Sequence, residues 1–181
     1  IRAFEEADRK NPPPTSPILF VGSSSIRMWN LPASFPNQPI LNRGFGGSEM
    51  SDAIRYFDRI VLPYRPRLLL LYEGDNDIGN GETPDQVVAD YQRFAHLVRT
   101  RLPDTHFAFL PIKPSLKRWN LWPQMARANE AIHRLCEKDS HLHYLDIVTP
   151  MLGKDGKPKP ALFAADGLHL NAAGYRAWTL V

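Results

Sequence analysis

The sequence predicts a doubly wound α/β domain, and three observations carry that prediction. Short apolar runs alternate with longer helical patterns five times along the chain. One run, Leu68-Leu69-Leu70-Leu71-Tyr72, is apolar throughout rather than alternating, as a strand buried on both faces of a parallel sheet must be. The 17 prolines fall mainly in the connections, at 12–17, 32–39, 63–66, 111–114 and 158–160.

Each element follows from its residues. Ile1–Pro17 reads as a lead-in with a short helix over Arg2–Arg9 before the prolines. The strands are expected at Ile18–Val21, Ile40–Asn42, Leu68–Tyr72, Thr105–Leu110 and Leu142–Asp146, and the helices at Glu49–Leu62, Thr83–Leu102, Trp122–Lys138 and Asn171–Leu180. The helix beginning at Thr83 is the clearest. Thr83 and Gln86 make a Thr-x-x-Gln capping box with Pro84 at the first helical position, and Val87, Val88, Tyr91, Phe94, Ala95 and Val98 mark one apolar face. There is no internal repeat, and residues 1–181 are expected to form a single domain, with 1–17 as its lead-in.

Composition narrows the function classes. A chain of 181 residues can bury a core without staples, and 23% charged with 43% hydrophobic residues is ordinary for a globular domain. The net charge of +3 is spread over scattered arginines, with no clustered patch of the kind nucleic acid requires. Cys136, the single cysteine, excludes an internal disulfide, and its place in a helical apolar pattern predicts a buried, inert thiol. No stretch approaches the length of a membrane span. The chain opens at Ile1 without a methionine, so its native N-terminus is expected upstream, and the compartment is left unread. The oligomeric state is equally unread.

In doubly wound sheets, ligands bind outside the carboxyl ends of the strands. The first strand is followed by Gly22-Ser23-Ser24-Ser25, the second by Asn42-Arg43-Gly44-Phe45-Gly46-Gly47-Ser48, the third by Glu73-Gly74-Asp75-Asn76-Asp77 and the fifth, after a spacer, by Asp166-Gly167-Leu168-His169. Several familiar patterns fail here. A dinucleotide fingerprint is broken by Glu49, there is no Gly-Lys-Ser/Thr of a P-loop, and the Gly-x-Ser-x-Gly elbow is broken by Ile26. A calcium loop starting at Asp75 meets Gly79 at its fifth position, and the pair His141 and His143 does not complete a zinc site.

The parts of acyl-transfer chemistry are all present. Such chemistry needs a nucleophile, a base, an orienter for that base, and donors for the oxyanion. Ser24 sits at a strand-to-helix turn, Gly47 offers an unobstructed backbone N–H, and Asn76 offers an uncharged amide donor. Asp166 and His169 are three apart, so the carboxylate can hold Nδ1–H of the imidazole while Nε2 faces Ser24. Each piece alone has a plainer reading, such as a loop, an Asx turn or a helix cap. Their coincidence beyond four different strands is what points to an ester hydrolase.

These four blocks resemble those of the SGNH, or GDSL-type, hydrolase superfamily. Its first block, usually Gly-Asp-Ser, is here Gly22-Ser23-Ser24; its second-block glycine is matched by Gly47; its Gly-x-Asn-Asp is Gly74-Asp75-Asn76-Asp77; its Asp-x-x-His is Asp166-Gly167-Leu168-His169. The resemblance implies a flavodoxin-like three-layer α/β/α sandwich with a five-stranded parallel sheet. It implies a Ser24–His169–Asp166 triad, an oxyanion hole of Ser24, Gly47 and Asn76, and neither metal nor cofactor. It is closest to compact esterases of the platelet-activating-factor acetylhydrolase-like or lysophospholipase-like kind. Ser23 departs from the family's usual Asp. The expected substrate is a small-molecule ester, with short acyl groups because no long insertion covers the site, or else an O-acetylated carbohydrate or a thioester. The rival is a flavodoxin-like phosphate- or flavin-binding module, which leaves Asp166 and His169 without a task. Trp119, in the segment after the fourth strand, is a candidate wall of the substrate pocket.

Overall fold

The computed structural model describes residues 1–181. In chain order the elements are α1 (Arg2–Lys10), β1 (Ile18–Gly22), α2 (Ser24–Arg27), α3 (Leu31–Ser34), β2 (Ile40–Gly44), α4 (Met50–Arg55), α5 (Phe57–Ile60), β3 (Leu68–Tyr72), α6 (Asp75–Gly79), α7 (Pro84–Arg101), β4 (His106–Phe109), α8 (Trp122–Cys136), β5 (Leu142–Tyr144) and α9 (Ala172–Thr179). All five strands are parallel, in the order β2-β1-β3-β4-β5. This is the flavodoxin-like order, with its topological switch between β1 and β3.

Alternation along the strands divides the interior into two cores. Leu19 and Val21 of β1, Leu69 and Leu71 of β3, and Phe107 and Phe109 of β4 face one layer, where they meet Met50, Phe57, Tyr91, Phe94, Met125 and Ile132. Phe20, Leu70, Tyr72 and Ala108 face the other, where Ile26, Trp29, Leu31 and Trp178 cover them. The uniformly apolar Leu68–Tyr72 run is thus accounted for, because both of its faces are covered. The capping box on α7 forms as the spacing predicts. Gln86 N–H donates to Thr83 Oγ1, and Thr83 N–H donates to Gln86 Oε1 at 2.8 Å. Cys136 is buried, its sulfur 3.2 Å from Tyr91 Oη.

The expected helix over 49–62 is broken. Tyr56 leaves helical geometry at φ −98°, ψ 7°, so that α4 and α5 each turn their own apolar residues, Met50 and Ala53, then Phe57 and Ile60, into the same core. Two short helices, α3 and α6, replace what read as connecting loop. β1 and β2 run on to their glycines, and β4 and β5 are shorter than their apolar runs. His143 lies in the edge strand β5 and His141 one residue before it. His106 joins them, its Nδ1 2.9 Å from His143 Nε2 and its ring stacked on that of His141.

Candidate active site

Gly22 ends β1 at φ +152°, and a Cβ there would lie 2.3 Å from the carbonyl oxygen of Tyr72 on the neighbouring strand. Only glycine allows this sharp exit, and it delivers Ser24 at the first position of α2. The three serines then separate by burial. Ser23 and Ser25 are 3% and 2% exposed, whereas Ser24 is half-exposed at the sheet's carboxyl edge.

Ser24 Oγ lies 3.0 Å from Nε2 of His169, a residue 145 positions later in the chain. His169 Nδ1 lies 2.6 Å from Asp166 Oδ2. Asp166 holds its own turn together, with Oδ1 accepting from the backbone N–H groups of Leu168 and His169 at 2.9 Å each. The bond from His169 is the largest influence on Asp166, followed by those two backbone donors, and together they hold its carboxyl far below the ordinary carboxylate range. An ionised Asp166 accepts from Nδ1–H and leaves the Nε2 lone pair directed at Ser24. Asn171 caps the following helix, its Oδ1 accepting from Ala173 and Gly174 N–H, while Nδ2 donates to the carbonyls of Ala161 and Phe163.

Gly47 is exposed at φ +78°, and neither its backbone N–H nor that of Ser24 has an acceptor within the protein. Asn76 lies in the first turn of α6, directly after β3. Its Nδ2 donates to the Ser48 carbonyl at 2.9 Å, which leaves its second N–H uncommitted. The sheet order sets β1 beside β3, so Ser24 and Asn76 flank the switch point. Trp119 stands apart from this hydrogen-bonded group. It is half-exposed and stacks on Trp122 at a centroid distance of 5.9 Å, at the start of α8.

Beneath Asn76 lies a buried polar layer that sequence reasoning did not assemble. Asp75 is 4% exposed and pairs with both Lys113 and Arg118, and it accepts from Tyr72 Oη at 2.9 Å. Desolvation pushes its carboxyl up, but the two cations outweigh that and hold it below its usual range. Asp77 accepts from Met50 N–H and Gly74 N–H, which ties the second-strand loop to α6; burial dominates there and raises its carboxyl to about 6. Glu73 is fully buried, and desolvation pushes its carboxyl well above the usual range. Ser48 Oγ sits 2.6 Å from Glu73 Oε1 and 3.0 Å from the Phe45 carbonyl oxygen. The one available signal for this layer was the pair of cations after the fourth strand, opposite the acids after the third.

The sequence profile of the GDSL-like Lipase/Acylhydrolase family matches residues 22–177. No curated protein matches the chain. Among solved structures, a Streptococcus pneumonia protein provisionally described as a platelet activating factor superposes with a TM-score of 0.87 at 21% identity, over 99% of this chain and 87% of that one. A GDSL-like lipase from Bacteroides thetaiotaomicron superposes at 0.80 and 16% identity, over 99% and 93%. An acetylxylan esterase from Geobacillus stearothermophilus, in a catalytic mutant form, superposes at 0.73 and 14%, over 92% of each chain. At these identities the structural likeness speaks for the fold, and the sequence profile speaks for the family. The chain belongs to the GDSL-like lipase/acylhydrolase family, whose chemistry is the hydrolysis of carboxylic esters.

Proposed function

We propose that the protein is a serine esterase that works through an acyl-enzyme on Ser24. The observation that carries the reading is the unbroken line Asp166–His169–Ser24, with contacts of 2.6 and 3.0 Å, the second joining residues 145 positions apart. His169 Nε2 takes the Ser24 hydroxyl proton as Oγ attacks the substrate carbonyl. Negative charge develops on the carbonyl oxygen and is met by the unpartnered N–H groups of Ser24 and Gly47 and by the second N–H of Asn76. The proton on His169 passes to the leaving alcohol. Water, deprotonated by the same nitrogen, then releases the acid and restores Ser24. No step requires a metal or a cofactor.

The site is open: Gly47 and Asp166 are exposed and Ser24 half-exposed, which favours small substrates carrying short acyl groups. Trp119, one residue beyond Arg118 and supported by Trp122, is proposed as a wall of the acyl or alcohol pocket. Four measurements test the reading. Nitrophenyl esters of rising chain length, with acetylated sugars and thioesters beside them, are expected to peak at short acyl groups. Trp119→Ala should redistribute rates within that panel; peak activity on long chains would overturn the short-acyl assignment. Ser24→Ala should remove turnover by several orders of magnitude while leaving the melting temperature close to wild type. A serine-directed organophosphate should label Ser24 alone, and labelling at Ser23 or Ser25 would reassign the nucleophile.

A further inference from the structure

An asparagine presents a carbonyl oxygen at one end of its amide and two N–H donors at the other, and the two ends are nearly isosteric. Asn76 can serve an oxyanion only if its oxygen is turned away and held there. We infer that Arg118 is the positioning residue that does this. The inference rests on the esterase reading and deepens it.

Both terminal nitrogens of Arg118 reach Asn76 Oδ1, Nη1 at 3.2 Å and Nη2 at 3.3 Å, while Asn76 Nδ2 donates to the Ser48 carbonyl. A guanidinium only donates and a carbonyl only accepts. Rotating the amide by half a turn would set NH₂ against the guanidinium and oxygen against oxygen, so a single orientation survives. The guanidinium is itself fixed. Nη1 donates to Asp75 Oδ1 at 2.5 Å and to the Asp75 carbonyl at 2.8 Å. It lies flat against α6 at Gly79, where a Cβ would come within 2.7 Å of Cζ of Arg118. Any larger residue at 79 would push the fork off Asn76.

Charge accounting separates positioning from mere ion pairing. Asp75 is already neutralised by Lys113, which is 1% exposed and donates to the other carboxylate oxygen and to Tyr72 Oη. Arg118 is therefore a second cation on the same carboxylate, and the side chain it meets beyond Asp75 is that of Asn76, at its amide oxygen. A positive charge on that oxygen draws electron density from the amide and strengthens its remaining N–H as a donor. The backbone leading to Arg118 is also fixed. Buried Asn129 of α8 bonds both the N–H and the carbonyl of Ile112 at 2.8 Å, and Lys117 N–H donates to the Gly167 carbonyl at 3.0 Å, inside the Asp166–His169 turn. One short segment thus touches both halves of the site.

The test is a double-mutant cycle on 4-nitrophenyl acetate with kcat and KM separated. Arg118→Ala should lower kcat by roughly 10- to 100-fold with KM within about twofold of wild type. In an Asn76→Ala background, the same change should alter kcat by no more than about twofold, because nothing remains to position. A kcat within twofold of wild type in Arg118→Ala overturns the assignment. So does a loss of equal size in the Asn76→Ala background, which would mark a general effect on the fold. Should Arg118→Ala fail to fold, Arg118→Lys, which retains a cation for Asp75, replaces it under the same criteria. Ser24→Ala is run in parallel. Hydrolysis that survives it removes the esterase reading, and this inference with it, whereas Ser24-dependent hydrolysis that is indifferent to Arg118 removes the inference alone.

Discussion

The two halves of the proposed site, its oxyanion donors and its proton-transfer pair, are built on opposite principles. The oxyanion half hangs on α6 and the loop after β2, over a buried layer of Glu73, Asp75, Asp77, Lys113 and Ser48. The proton-transfer half is a surface turn. Asp166 is exposed, His169 is half-exposed, and the geometry is held by three short hydrogen bonds onto Asp166 and by the Asn171 cap behind it. An oxyanion donor must already be in place when charge develops, because reorganisation at that moment costs rate; rigid, desolvated support suits it. A base must exchange protons with substrate and water, and a turn open to solvent permits that. The difference shows in the carboxyls. Burial pushes Asp77 up, while donors hold the exposed Asp166 down.

If the comparison is right, substitutions in the two halves fail in different ways. Asp166→Asn should have the largest effect on activity, a loss of roughly 10⁴ in kcat, because the amide favours the wrong imidazole tautomer. Its urea midpoint should fall only slightly, since water screens the charge of this exposed side chain and an amide oxygen can still accept from Leu168 and His169. Near-full activity would mean that Asp166 does not orient His169. Asp75→Asn should do the reverse. Removing the charge leaves buried Lys113 unpaired, for a loss of about 3–5 kcal/mol in unfolding free energy by urea titration. A variant as stable as wild type would show that the buried layer is not what supports the oxyanion half.

The smaller effect is on the pH dependence of stability, and it separates the halves by sign. Asp77 titrates at about 6 when folded and near 3.9 when unfolded. The folded chain therefore holds more protons between those values, and the contribution of Asp77 is fully present below the lower value and lost as pH rises through the higher one. Asp166 is depressed, so its contribution is present above the ordinary carboxylate range and lost as pH falls. Asp77→Asn should accordingly gain on wild type by up to about 3 kcal/mol between pH 4 and pH 7, read as the difference between two sets of urea titrations. Parallel profiles would show that the two backbone donors, not burial, govern Asp77.

Much of the fold was legible because its signals are local. The unbroken apolar run at Leu68–Tyr72 requires cover on both faces, and Thr83 and Gln86 satisfy each other's backbone three residues apart. The break at Tyr56 was not legible, since residues on both sides carry the same helical period and only the shared core decides that two short helices serve it better than one. α6 was missed because Gly74, Asp75, Asn76, Asp77 and Gly79 read as a turn. Its helical form depends on Asp77 bonding back to Gly74 N–H and across to Met50.

The chain by itself determined the order of elements, the four polar blocks beyond the strands and the residue types they bring, because periodicity, capping and turn chemistry act over a few residues. Tertiary structure alone decided which of three adjacent serines stays half-exposed, and that Arg118 meets Asn76 across 42 positions. Exposure and long-range pairing are set by how the layers close over the sheet. A buried charge such as Asp75 persists only where that closure also brings its cations, and that is a property of the assembled fold and not of any segment.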